Sequence, residues 1–284
     1  MFTLSVENNK GETLQLTQNE SKFQIANITG LNPPKANIYT TALAGIDGER
    51  YKSSHLDMRN IVLTVAINGN VEENRLRLYG FFGTGRWCKL FYSNNSRDVY
   101  AEGYCETVDG SLFVVKQTIQ ISVICPEPYF KSLETIITDI SKVFGNFEFP
   151  FSIAVEGIEF SIIEANREAE VYNNSEVSCG MIIRMRSELN GIQNPILRSV
   201  KSGAYLGCTI TLDKGDVLEI NTNKGQKTIL KYVNGRPSNA INSLMAGSTW
   251  LQLDLGLNKF FYETTSNADQ LVVEIEHKIL YEGV

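Results

Sequence analysis

Histidine is scarce in this chain, cysteines never fall at metal-binding spacing, and no apolar run is long. Each shortage removes a class of chemistry. His55 and His277 are the two histidines among 284 residues. The five cysteines, Cys88, Cys105, Cys125, Cys179 and Cys208, are odd in number, widely spaced and form no CxxC. A zinc site or disulfide framework is therefore not expected, and buried free thiols are. No stretch approaches the roughly 20 apolar residues of a membrane helix, and no basic leader precedes an apolar run near Met1, so neither a membrane span nor a secretory signal is expected. Basic excess is missing too. Net charge is −6, with 12 basic and 12 acidic residues through residue 125 and the whole acidic excess beyond it. That balance argues against a nucleic-acid grip, which needs a basic face, and hints at two units.

What the chain does contain is strand pattern. "RNIVLTVAING" sets Ile61, Leu63, Val65 and Ile67 on one face and stops at Asn68-Gly69-Asn70. "NRLRLYGFF" alternates Arg75 and Arg77 with Leu76 and Leu78 and reads as another two-faced strand. "VVKQTIQISVIC" places Ile119, Ile121, Val123 and Cys125 opposite Lys116, Thr118, Gln120 and Ser122. With no helix between them, an antiparallel sheet is expected. Pro126 and Pro128 then end the strand, because proline cannot donate to a ladder. "KSLETIITDISKVF" follows with Leu133, Ile136, Ile137, Ile140, Val143 and Phe144 at helical spacing, so a helix capped by Ser132 is predicted. Short alternating strands resume in "IEFSIIEA", "GMIIRMR", "GCTITLDKGDVLEIN", "QKTILKYVNG", "STWLQLDLGLNKFFYET" and "LVVEIEHKILY". The expectation is two β-rich domains: residues 1–130, a linker helix over 131–146, and a β-sandwich or jelly roll over 147–284.

No catalytic constellation emerges. His55 has Ser53, Ser54 and Asp57 nearby, but in one local run without an elbow motif, and polar loops often look like this. His277 lies on the apolar side of its strand and reads as a satisfied core or edge histidine. Glu72, Glu73, Asp213 and Asp216 sit near turns and read as solvated acids rather than a glycosidase pair. Gly80, Gly83 and Gly85 lack phosphate-loop spacing and suit a bend or bulge. Trp87 and Trp250 could stack on sugar rings, although such tryptophans more often belong to a core.

The order of phrases along the chain resembles one family. "FQIANITGLNPPKANIYTTALAGIDGERY", "HLDMRNIVLTVAINGN" before "NRLRLYGFFGTGRWCKLFY", and "RDVYAEGYCETVDG" before "TIQISVICPEPYF" are similar to the first domain of distal tail proteins, the baseplate hub of tailed bacteriophages in the siphovirus tail-component family. "GDVLEINTNKGQKTILKYVNG" and "SLMAGSTWLQLDLGLNKFFY" resemble its second domain, with Leu255 where the family usually has proline.

The resemblance implies a mainly β fold: a first β-sandwich or split barrel with a flanking helix, and a galectin-like β-sandwich at the periphery. It implies a structural virion protein of the tail, made in the host cytoplasm, without enzyme activity, cofactor or metal. It implies a homo-hexameric ring joining the tail tube protein to the tail-associated lysin or tip protein and to receptor-binding proteins, with DNA passing through unbound. The strands "RNIVLTVAINGN" and "NRLRLYGFF" are the candidates for pairing between copies. Arg59, Arg75 and Arg77 are the candidates for bridging subunits, with ordinary solvated arginine the alternative for each. A second reading is a carbohydrate-binding module for cell-wall sugars, with Trp250 on the side of Gln252 and Asp254 as its contact. A third, a glycan hydrolase, lacks an acid pair.

Overall fold

The computed structural model describes residues 2–17, 22–111, 114, 116–139, 144–145, 161–162, 168–187 and 191–284. The chain divides into two compact units, Met1–Leu133 with Leu280–Val284, and Glu134–Ile279.

The first unit begins with β1 (Thr3–Asn8), β2 (Thr13–Gln15), β3 (Phe23–Thr29), β4 (Ala36–Ala42), β5 (Glu49–Leu56) and β6 (Arg59–Ile67). Helix α1 (Val71–Phe81) follows, then β7 (Trp87–Ser93), β8 (Asp98–Gly110), β9 (Thr118–Cys125) and β10 (Phe130–Ser132). One antiparallel sheet runs in the order β2-β1-β7-β8-β9-β6-β3, and β10 adds to β8. Strict alternation drives β6: Ile61, Leu63, Val65 and Ile67 are buried while Asn60 is exposed. Residues on the inner face of every strand from β1 to β9, β4 and β5 excepted, join a single core cluster. Such a sheet curls around its own core, and α1 covers it with Leu78 and Phe81, joined by Phe82 just past the helix. Burying these aliphatic and aromatic side chains contributes about 1.5–3 kcal/mol each.

Three expectations about this half are corrected. "NRLRLYGFF" is not a strand but the body of α1. Its buried residues are Asn74, Leu78 and Phe81, at i, i+4 and i+7, whereas Leu76 points to solvent. Glu72 and Glu73 in the first turn favour the helix dipole. The Arg-Leu alternation was too short to separate a period of 2 from 3.6. Second, β6 is not an edge open to another copy, since it is bonded to β9 on one side and β3 on the other. Third, the helix over 131–146 does not form where the structure is described. Phe130–Ser132 and Ile136–Asp139 are strands, and Phe144–Gly145 is a short one. Leu133 and Ile137, which a helix would bury, are exposed. The β-branched run Ile136-Ile137-Thr138 instead pairs with Ile275–His277, where branched side chains fit the pleat. Ile140 and Val143 lie outside the described residues.

The second unit holds two main antiparallel sheets. Six strands run in the order Ile136–Asp139, Leu271–His277, Ile182–Ser187, Val217–Asn221, Thr228–Val233 and Arg236–Asn239. Four run in the order Glu168–Asn173, Gly256–Glu263, Ile196–Ser199 and Tyr205–Gly207. Ile183, Met185, Leu218, Ile220, Val273 and Ile275 are buried on the first, and Val171, Leu197, Leu206 and Phe260 on the second, the two-sheet pattern of a β-sandwich. The run "LVVEIEHKILY", expected as one strand, breaks after His277. Leu280–Tyr281 pairs with β10 and so belongs to the first unit. Most of "IEFSIIEA" lies outside the described residues.

Candidate functional site

Arg59 opens β6 and is 3% exposed. Its Nε donates to the Pro128 carbonyl at 2.7 Å and its Nη1 to the Asn32 carbonyl at 2.9 Å. The carbonyls of Gly30 and Glu282 also accept from it, and the guanidinium lies 4.3 Å from the centroid of Phe130. Burial lowers its pKa from the ordinary arginine value. The planar fork suits this task because it presents several fixed donors to separate acceptors. Arg59 was a candidate for bridging copies. Its donors are instead spent inside its own unit, where it ties the residue after β3, the turn before β10 and the Leu280–Val284 segment to the start of β6. Gly30 is required here: its φ is +87°, and a Cβ would come 2.1 Å from the Asn60 carbonyl oxygen.

Arg75 and Arg77 sit on α1. Arg75 pairs with Glu72 and lies 5.8 Å from the Tyr79 ring centroid, while Arg77 is exposed. Glu73 accepts from Asn70. Neither arginine lies on a strand edge.

The feature that the sequence reading missed is the β4–β5 hairpin. It forms its own two-stranded sheet, and every residue of β5 except Leu56 is exposed. Ile38, Tyr39, Leu43, Ile46 and Tyr51 are each at least 45% exposed. Tyr39 stacks on His55 with centroids 5.4 Å apart, and Asp57 approaches His55 at 3.4 Å. Ser54 shares its hydroxyl with Tyr51 rather than with the histidine. The Ser/His/Asp neighbourhood thus lies on the exposed face of a solvated hairpin. Signals were present: two strand-like runs flank Gly45 and Gly48, both at positive φ.

Elsewhere the chemistry is structural. All five cysteines are buried free thiols. Burial pushes Cys88 and Cys125 up to about 12 and Cys105 up to about 11, the reverse of what a nucleophile needs. Among the described residues no His, Cys, Asp and Glu group could hold a metal. Asp216 is buried and pairs with Lys231 at 2.7 Å, and its carboxylate accepts from the Asp213 amide, so these acids stabilise a turn. Trp250 is half-buried, with the Lys227 ammonium 5.3 Å from its centroid. Arg184 pairs with Glu219, Glu274 and Glu276 across three strands. His277 is buried, as a core histidine should be, but it is not satisfied as expected. Among the described residues neither ring nitrogen has a hydrogen bond of good geometry. Burial lowers its pKa, opposed by the Tyr172 backbone.

Comparison with known proteins fits this architecture. Residues 9–125 match the family model of the phage tail protein RIFT-related domain. No curated protein matches the chain in sequence. Among solved structures, the chain is similar to the Dit protein of phage SPP1, described as a paradigm of the hub adsorption apparatus in phages infecting Gram-positive bacteria. Identity is 14%, the TM-score is 0.68, and 98% of this chain and 99% of that one are covered. It is also similar to a chain of the phage P2 baseplate in its activated conformation with calcium, at 11% identity and a TM-score of 0.55, over 98% of each. Residues 9–125 are thus similar to the phage tail RIFT-related domain, and the whole chain shares the fold of the SPP1 Dit protein.

Proposed function

We propose that the protein is a structural subunit of the distal tail, with no enzymatic role, that closes into a hexameric ring at the end of the tail tube. The ring would join the tube protein to the tip and receptor-binding apparatus and surround the channel through which DNA leaves. One observation supports the reading above the others: a domain of this tail family projects a hairpin whose apolar side chains are exposed. An isolated two-stranded hairpin is marginal in water and needs packing to hold its shape. Five large apolar side chains exposed on one such element mark an interaction surface. In a ring, each copy supplies the same surface to its neighbour, and closure leaves no free end. The charge balance of the first 125 residues agrees, because a near-neutral channel wall would let phosphates slide past.

Electron micrographs of the purified chain, alone and mixed with the tail tube protein, test the proposal. Rings with a central channel, stacking on tube ends in the mixture, are the expected result. A protein that stays monomeric at all concentrations and ignores tube ends would overturn it. The second sandwich would sit at the ring periphery and dock other baseplate components.

A further inference from the structure

The first unit is discontinuous in sequence. It is completed by Leu280–Val284, which the chain reaches only after the whole of Glu134–Ile279. Those five residues are built into it at several points. Tyr281 and Leu280 pair with Phe130 and Lys131 of β10. Tyr281 and Val284 pack against the core cluster, and Arg97 lies 4.4 Å from the Tyr281 ring centroid while donating to the Gly283 carbonyl. The Glu282 carbonyl accepts from buried Arg59.

Three of the contacts converge on one place. The Val284 amide donates to the Leu31 carbonyl at 3.1 Å. Gly283 lies so close to Pro33 that a Cβ would come 2.9 Å from its Cδ. Arg59, held by Glu282, also binds the carbonyls of Gly30 and Asn32. Residues 30–33 are the root from which the β4–β5 hairpin leaves the sheet.

We propose that Leu280–Val284 is a latch that sets the hairpin root, so that the assembly surface takes its working form only once the second unit has been made. Among the described residues the hairpin has no sheet partner beyond itself to hold its direction. Its aim is therefore inherited from its two roots, residues 30–33 and the two-residue link from Leu56 to Arg59, and Arg59 joins the two by binding the carbonyls of Gly30 and Asn32. A chain still lacking residues 280–284 leaves the Leu31 carbonyl without its donor and Arg59 short of one acceptor. It would present the hairpin in many directions and associate poorly. That consequence rests on the ring reading; the latch itself does not.

Hydrogen exchange on the full chain, on a deletion of Leu280–Val284 and on Gly283→Val tests this. Gly283→Val keeps the length and wedges the segment away from Pro33, so it carries the test should the deletion be insoluble. In both variants, amides between Leu31 and Leu56 should exchange about tenfold faster or more, with Trp87–Ser93 of the same unit and Ile182–Ser187 of the other unchanged; equal acceleration throughout the first unit would overturn the latch. A peptide spanning residues 279–284 should restore protection to the deletion variant. Unaltered exchange at Leu31–Leu56 in the variants would overturn the latch. A full chain that never associates would refute the ring reading and leave the exchange result to decide the latch.

Discussion

Replacing Arg59 should damage the first unit more than any exposed substitution. In Arg59→Met the stem can still pack on Phe130, but four carbonyls lose a charged donor: Gly30, Asn32, Pro128 and Glu282. Leaving a buried acceptor unpaired costs about 1–3 kcal/mol. Four at the low end give about 4 kcal/mol. Removing a buried charge returns part of that, because burial of the guanidinium is itself unfavourable, which is also why its pKa is lowered. The net expectation is about 3 kcal/mol. A unit of this size shifts its midpoint by roughly 3–4 °C per kcal/mol, so scanning calorimetry should show the first transition lower by about 10 °C and the second unmoved. Arg59→Lys should fall between, since one ammonium cannot reach all four acceptors. If Arg59→Met melts within about 2 °C of the parent, the clamp is not holding the unit and the reasoning fails.

Gly30→Ala should cost about 3 kcal/mol or more, from positive-φ strain and the close approach to Asn60, and is checked by chemical denaturation. His277 gives a pH dependence with a defined sign. Burial holds the folded imidazole below its ordinary value of 6.5, so the unfolded chain takes up the proton first as pH falls. The second unit is most stable above about pH 6.5 and weakens below it. His277→Leu should shrink the difference between midpoints at about pH 8 and about pH 5.5, and an undiminished difference would assign that loss to other groups. The buried thiols should resist alkylation in native protein at pH 8 and all five should label after denaturation, counted by mass spectrometry; rapid native labelling of Cys88 or Cys125 would contradict their burial.

The parts of this fold that were legible in sequence are those governed by long local patterns. Ile61 to Ile67 and Ile119 to Cys125 alternate over enough residues to fix both strand and face, and both are buried as that pattern requires. Pro126 ended its strand on covalent grounds alone. Short patterns misled in both directions. Arg75 to Leu78 alternated inside a helix, and Leu133 to Phe144 showed helical spacing where residues 136–139 pair with a strand far along the chain. In the second case tertiary pairing outweighed local period, and that partner could not be known from the segment itself. The Arg59 clamp was illegible for a different reason. Its acceptors are backbone carbonyls, which every residue carries, brought from positions 30, 32, 128 and 282. Only an arginine at the mouth of an apolar strand hinted at it. The hairpin could have been found from its paired runs and glycines, but its polar residues drew attention to a false catalytic cluster.

Whether the hairpin joins copies together is the point on which the functional account turns. Light scattering across a concentration series, on the parent and on the double variant Tyr39→Ser with Ile46→Ser, measures it directly. Both side chains are at least half exposed, so the variant should stay folded, with a loss of about 1–2 kcal/mol that includes the stacking of Tyr39 on His55. The account predicts a parent that reaches the mass of a closed ring and a variant that stays monomeric while folded. A variant that assembles as the parent does would contradict it.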